Sequence, residues 1–145
     1  MRRPRKAAKD VFAWKSFLLP VFILCAITFI LFFQVGFFGF ILWDDDQNFI
    51  ANPWVKGFSD FRHWIWPWTT RLLNVYQPIS WIFFQLQHAL VPHSPAQFIH
   101  AVSLMLHMAN ATIILILCAI LTPLLATRVR APALCGALYF ALHPL

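Results

Sequence analysis

The hydrophobic positions of this chain gather into long uninterrupted runs. Residues 17–43 and residues 96–121 contain no Asp, Glu, Lys or Arg. A helix rises about 1.5 Å per residue and a membrane's hydrocarbon core is about 30 Å thick, so each run is long enough to cross. A third run fills residues 132–145 and is too short to span. The pattern predicts an all-α, multi-pass membrane fold with about three transmembrane helices, the third truncated.

The stretch between the two long runs, residues 44–95, has a mixed polarity that suits a loop carrying interfacial helices. Ser59-Asp60 is typical of a helix start, and we expect a short helix running towards Pro67. Residues 78–91 predict a second helix with proline in its first turn, too short to span. Three tryptophans suit the membrane–water boundary: Trp64, Trp66 and Trp68.

The composition and the placement of charge agree with a membrane protein. The chain is 61% hydrophobic and only 11% charged. Its net charge of +6 comes mainly from residues 1–16 and from Arg128 and Arg130, which marks these segments as a cytoplasmic tail and a cytoplasmic loop, residues 122–131. The predicted location is a bacterial inner membrane, with the N-terminus inside and residues 44–95 outside. The basic residues form no patch among polar ones, so a nucleic-acid partner is not expected.

A polar stripe follows one face of the second long run. Its members are spaced by three, four and three residues: His100, Ser103, His107 and Asn110. One interpretation is hydrogen bonding between helices. The other is a wet groove that holds a polar head group. No carboxylate shares this helix, so the two histidines do not predict a metal site.

An acidic cluster, Asp44 to Asp46, follows the first apolar run directly within WDDDQNFIANPW. An aspartate in mid-membrane costs about 2.5–3.5 kcal/mol, so the cluster must lie in water or in a wet cavity. Three interpretations stay open: a solvated helix end, a divalent-cation site at Asp44, Asp45 and Asp46, or general acid–base chemistry. An extended backbone would turn Asp44 and Asp46 to one side and Asp45 to the other.

Five motifs occur in a characteristic order: WDDDQNFIANPWV, WIWPWTT, NVYQPISW, FIHAVSLMLHMANAT and GALYFALHPL. This series, from about Trp43 to Leu145, resembles the N-terminal membrane region of the GT-C glycosyltransferases that carry tetratricopeptide repeats. These are the O-mannosyltransferase-like proteins of the TMTC type and their bacterial relatives. The repeats are absent from this sequence, and we expect the chain to be an N-terminal fragment that is inactive alone.

The resemblance implies a function at the non-cytoplasmic face. Such enzymes move a sugar, here expected to be mannose, from a polyprenyl-phosphate carrier to a hydroxyl acceptor on a protein or glycan. Two alternatives are a non-catalytic membrane assembly module and a polyprenyl-lipid binding or transport protein. An enzyme needs Asp44 or Asp45 to be irreplaceable, whereas an assembly module should tolerate Asn there.

The resemblance also implies roles for individual residues. Asp44 and Asp45 match the family's catalytic acidic pair, with Asp44 as the base that deprotonates the acceptor. His143-Pro144 matches an HP motif. Animal relatives have Tyr-Arg-Pro where this chain has Tyr76-Gln77-Pro78, and Arg71 is the expected substitute for the missing phosphate ligand. The substrate-binding residues expected on this basis, together with those of the polar stripe, are Asp46, Arg71, Tyr76, Gln77, His100, His107 and His143.

Overall fold

A computed structural model describes residues 17–56, 58–93, 96–121 and 130–143. The regular elements within these ranges are all helices: α1 (Leu18–Phe32), α2 (Phe61–Thr69), α3 (Pro78–Leu90), α4 (Ala96–Leu121) and α5 (Arg130–Leu142). Shorter helical turns cover Phe33–Phe37, Asp46–Ile50 and Pro53–Val55. The described residues form no strand, and the only sheet-like feature among them is an isolated bridge between Leu72 and Val75. The all-α prediction is confirmed for these residues.

Two helices are long and apolar enough to cross a membrane by length and composition, Leu18–Phe37 and Ala96–Leu121. A signal sequence near the N-terminus or a buried core helix passes the same test. Length and hydropathy therefore fit a membrane protein, whereas the number of crossings, the orientation and the outer loop stay predictions. The predicted cytoplasmic tail, residues 1–16, and most of the predicted cytoplasmic loop lie outside the described residues.

The first apolar run does not stay helical to Trp43. Regular α-helix ends at Phe32, a 3₁₀ turn continues to Phe37, and the backbone after it is irregular. Gly36 and Gly39 fall within this stretch, and glycine lowers helix stability by about 1 kcal/mol relative to alanine. A hydropathy run does not register this change, because the residues stay apolar after the helix has ended.

The described residues divide into two compact units. One contains the residues up to Phe32 together with those from Met105 onward, and the other contains Phe33–Leu104. In the first unit, α1, α4 and α5 bury a core made largely of small side chains: Leu24, Ala111, Leu115, Ala133, Ala137 and Ala141. Alanines let helix backbones approach closely, which is how helices pack where lipid removes the hydrophobic drive.

In the second unit, Asp60 begins α2. Its carboxylate accepts hydrogen bonds from the backbone N–H groups of Arg62 and His63, which fills the role of an N-cap. The hydrogen bond from the His63 side chain lowers the pKa of Asp60. Because the pKa of folded Asp60 is lowered, the cap is intact at pH values above the ordinary pKa of an aspartate. It is lost only when the pH falls through the lowered pKa and the carboxylate becomes protonated.

Helix α2 continues through Pro67 to Thr69, two residues beyond the predicted stop. Proline lacks the N–H that would bond to the carbonyl of His63, four residues earlier. The buried side chain of Gln85, on α3, supplies the missing donor, since its Nε2 donates to the His63 carbonyl at 2.9 Å. The same Nε2 donates to the Trp54 carbonyl at 2.9 Å. Gln85 thereby joins α2, α3 and the turn at Pro53–Val55.

Indole rings pack around this junction. Trp81 is fully buried and meets Trp66 edge-on, with ring centroids 5.3 Å apart. Trp66 stacks against Trp54 at 6.3 Å. Of the three tryptophans predicted at the membrane boundary, Trp64 and Trp68 are exposed, whereas Trp66 packs inward. The end of α3 at Leu90 agrees within one residue with the predicted bound, and α4 has the predicted bounds.

Candidate functional site

Four of the predicted site residues, Asp44, Asp45, Gln77 and His100, line a single cavity of about 420 Å³ in the second unit. We call this cavity the acidic pocket. Its remaining lining residues are Asn48, Phe49, Ser80, Phe84, Ile99 and Ser103. They come from residues 44–50, which we call the acidic turn, from α3 and from α4, and none of these segments forms the pocket alone.

The acidic turn is helical and not extended, so the alternation of faces that an extended backbone would give along Asp44 to Asp46 does not occur. Asp45 has φ −68° and ψ −30°, and the Asn48 N–H donates to the Asp44 carbonyl at 2.8 Å. Side chains in a helical turn differ in direction by about 100° per residue, which lets Asp44 and Asp45 enter one cavity. Asp46 does not line the cavity, and its Oδ1 accepts the Gln47 N–H at 2.8 Å.

The two aspartates of the pocket differ in their surroundings. The Oδ2 of Asp45 accepts the N–H of Ile41 at 3.0 Å, which ties the acidic turn to the chain that precedes it. Asp45 is half-buried, whereas Asp44 is exposed. Asp44 is therefore more accessible to a substrate, whereas the side chain of Asp45 is fixed by its hydrogen bond to Ile41.

Gln77 and Ser80 bring the start of α3 to the acidic pocket. Gln77 occupies the N-cap position, but its side chain makes no capping hydrogen bond. Pro78 at the first helical position presets the backbone for the helix. The Gln77 amide thus contributes a donor and an acceptor to the cavity without being needed for the helix end.

His100 brings α4 to the pocket. Its Nε2 lies 3.4 Å from the carbonyl of Gly39, and its ring meets Phe40 with centroids 6.4 Å apart. These contacts fix the ring beside the cavity. Ser103, one helical turn further along α4, lines the same cavity, so this half of the polar stripe faces a polar space.

His107, in the other half of the polar stripe, contacts another helix and does not line the acidic pocket. His107 belongs to the first unit, where its Nε2 is 2.9 Å from the Ala141 carbonyl. Ala141 lies in the last turn of α5, where carbonyls lack a partner within the helix. His107 also stacks on Phe140 and meets Phe32 edge-on. This is the interhelical hydrogen bond of the simpler interpretation.

The remaining predicted residues do not line the acidic pocket. Arg71 is exposed in the segment between α2 and α3, ahead of a tight turn in which Leu73 and Asn74 have positive φ. The hydroxyl of Tyr76 donates to the Trp68 carbonyl at 3.3 Å. His143 packs against Tyr139 in the first unit, and Pro144 lies outside the described residues. The cation expected at Arg71 for a phosphate is thus not among the acidic-pocket residues.

Asn48 is a pocket residue that sequence reasoning missed. Its Oδ1 is buried and has no hydrogen-bond partner among the described residues, so it offers a free acceptor to a ligand. It lies four positions after Asp44, which places it on the same side of a helical turn. A helical conformation of the acidic turn, had it been predicted, would have included Asn48.

No group of three or more His, Cys, Asp or Glu side chains in the described ranges has an arrangement suited to a metal ion. The acidic turn directs two of its three carboxylates to the cavity and the third elsewhere. This geometry gives the divalent-cation interpretation no support, and the solvated helix end and the acid–base site both stay open.

Comparison of this chain with protein-family models, with curated proteins and with solved structures finds no match. The resemblance to the GT-C glycosyltransferases therefore depends on the five sequence motifs, and the geometry of the acidic pocket is an independent observation beside it.

Proposed function

We propose that the acidic pocket is the acceptor-activating site of a membrane glycosyltransferase of the GT-C type. The reaction moves a sugar, mannose by the resemblance, from a polyprenyl-phosphate carrier to a hydroxyl of a protein or glycan at the non-cytoplasmic face. The supporting observation is that Asp44 and Asp45 share one cavity with Gln77 and His100. These residues come from three separated parts of the chain, and all four are among the nine positions that the sequence indicates.

The proposed chemistry is a single displacement. Asp44 takes the proton of the acceptor hydroxyl, and the hydroxyl oxygen forms a bond to the anomeric carbon of the sugar. The bond from that carbon to the phosphate oxygen breaks, and polyprenyl phosphate leaves with the electron pair. Asp45, held by the Ile41 N–H, keeps the acidic turn in place, while Gln77 and Asn48 provide hydrogen-bonding groups for sugar or acceptor hydroxyls.

A second candidate function is lipid binding without transfer. It is favoured by the apolar part of the pocket wall, Phe49, Phe84 and Ile99, which suits an isoprenoid chain as well as a reacting sugar. The two functions differ in their need for Asp44, since binding alone does not require a proton acceptor.

Sugar transfer is tested in membranes of the organism that makes this protein, with membranes lacking the gene as the control. Radiolabelled polyprenyl-phosphate mannose and hydroxyl acceptors are added, and the transfer product is separated from released sugar. We expect a glycosylated acceptor only when the gene is present. Equal product in both membranes contradicts the proposal, and binding of the carrier without any product favours the second candidate.

The proposed function requires the acidic turn to face the non-cytoplasmic side. In a background in which Cys25, Cys118 and Cys135 are replaced by serine, we expect Ser59→Cys to react with impermeant thiol reagents in intact cells. Thr127→Cys should react only after the cells are opened, because the basic segment around it marks the cytoplasmic side. The reverse pattern of labelling rules out an outer-face site.

A further inference from the structure

A second cavity of about 410 Å³ in the same unit has the opposite electrical character. Its lining includes Lys56, His88 and His93, and we call it the basic pocket. Three phenylalanine rings form much of its remaining wall: Phe40, Phe49 and Phe84. No carboxylate is among the described residues that line it.

The basic groups affect one another in the absence of a counter-ion. Burial, and then repulsion from Lys56 and His93, lowers the pKa of His88. An anion in this cavity would offset the repulsion and favour the protonated imidazole.

The charged side chains on the neighbouring elements lie outside the basic pocket. The segments packed on α3 are α2 and the turn at Pro53–Val55, which in turn packs on the turn at Asp46–Ile50. Asp60 of α2 is 3.0 Å from His63, Arg62 is exposed, and Asp46 accepts the Gln47 N–H. None of these side chains lines the basic pocket, and Asp44 and Asp45 line the adjoining acidic pocket instead. The described lining of the basic pocket thus contains three basic groups and no carboxylate.

The basic pocket adjoins the acidic pocket. Phe49, Phe84 and Ile99 line both cavities, so one wall separates a cationic space from the space that contains Asp44 and Asp45. The cation missing from the acidic pocket is thus present next to it, on residues that the motifs did not indicate.

We infer that the basic pocket binds the phosphate group of a membrane lipid, with Lys56, His88 and His93 as cationic ligands and the phenylalanine rings against the lipid chain. The anion site rests on the lining residues alone, whereas the choice of polyprenyl phosphate as the lipid deepens, and rests on, the proposed function. Protonated histidines are strong hydrogen-bond donors to phosphate. Binding therefore tightens as the pH falls and the imidazole of His88 becomes charged.

The inference is tested with the purified chain in detergent micelles and radiolabelled polyprenyl phosphate as the probe. We expect saturable binding that strengthens as the pH falls below the ordinary range of a histidine, because burial and the neighbouring cations lower the pKa of His88. Lys56→Gln should weaken it about fivefold, the effect of one basic residue near an anionic lipid group, and Lys56→Arg should retain it. The double variant His88→Gln, His93→Gln should lose the protein's share of this pH dependence and keep only the share that comes from the second ionisation of the phosphate itself. Arg62→Gln, which removes an equal charge outside the pocket, is the matched control and should bind as the unaltered chain does.

Competition separates the possible ligands. Unlabelled polyprenyl phosphate should displace the probe, while uncharged polyprenol and inorganic phosphate should displace it poorly. Displacement by polyprenol at equal concentration shows that the phosphate is not recognised and overturns the inference. Equal displacement by inorganic phosphate identifies a site for free phosphate and overturns the lipid assignment. An equal loss of binding in Arg62→Gln and Lys56→Gln shows that the probe is attracted by general positive charge, and it contradicts a specific site in the basic pocket.

Failure here is distinguishable from failure of the proposed function. Asp44→Asn should bind the probe normally while losing sugar transfer, because Asp44 lines only the acidic pocket of the two. Normal binding by Lys56→Gln together with lost transfer by Asp44→Asn removes the anion site and leaves the glycosyltransferase proposal intact. If the unaltered chain binds the probe normally but host membranes show no transfer, the anion site stands and the glycosyltransferase proposal fails.

Discussion

Asp44→Asn is expected to lower kcat for sugar transfer by about 100-fold or more, with little change in membrane insertion or abundance. A positioned general base contributes about 10²–10⁴-fold in rate, and the amide of asparagine is not basic. Asp44 is exposed, and its side chain caps nothing in the described structure, so the substitution leaves the fold unstrained. Initial rates in host membranes, with the amount of protein measured by immunoblot, check this result.

Asp46→Asn is the matched control for the base assignment. Asp46 belongs to the same turn but does not line the acidic pocket, so its substitution should lower kcat far less than 100-fold. Asp45→Asn should fall between them, because it weakens the hydrogen bond to Ile41 without removing the base. Equal, mild effects at all three positions contradict the assignment and favour a solvated helix end. A loss that added divalent cation reverses points to a metal site instead.

Trp81→Ala is expected to destabilise the second unit by about 3–5 kcal/mol, the usual cost of deleting a fully buried aromatic side chain. Trp81 has no exposed surface, and its ring packs against Trp66 and Phe84. Phe84 lines both pockets, so the cavity left by the indole weakens the wall between them. Thermal unfolding of the purified protein, followed by circular dichroism, measures the loss.

The control for Trp81 is another tryptophan of the same unit. Trp68 is 54% exposed, and Trp68→Ala should shift the unfolding transition little, because its indole already lies largely outside the packed core. Equal destabilisation by both substitutions would show that the aromatic junction around Trp81 is not the core of this unit. Unchanged unfolding in Trp81→Ala would contradict its burial directly.

The elements that follow from local signals were predictable from the sequence. The bounds of α4 follow from an uninterrupted apolar run, and the start of α2 follows from the capping preference of Asp60. The end of the first helix was not predictable from hydropathy, because the residues after Gly36 are as apolar as those before it. Helix propensity falls at Gly36 and Gly39 whereas hydropathy stays high, so only propensity signals the end of the helix in this region.

The site was predictable only in part, since four of the nine predicted residues line the acidic pocket and Asn48 was missed. The sequence pointed to Asp44, Asp45, Gln77 and His100, yet the helical conformation of the acidic turn involves a hydrogen bond between Asp45 and Ile41 that no periodicity reveals. Lys56, His88 and His93 are scattered basic residues in the sequence and become a cluster only through the packing of α3. Contacts between distant positions carry no signature in a single sequence.

The hydrogen bond between Gln85 and the His63 carbonyl has an evolutionary consequence. Pro67 leaves that carbonyl without its helical donor, and the amide at position 85 replaces it from another helix. Substitution at 85 alone leaves two carbonyl acceptors without their donor, those of His63 and Trp54, whereas loss of the proline restores a donor for His63 only. Position 85 therefore stays constrained by Trp54 even in a lineage that has lost the proline, while position 67 can change as long as the glutamine is kept.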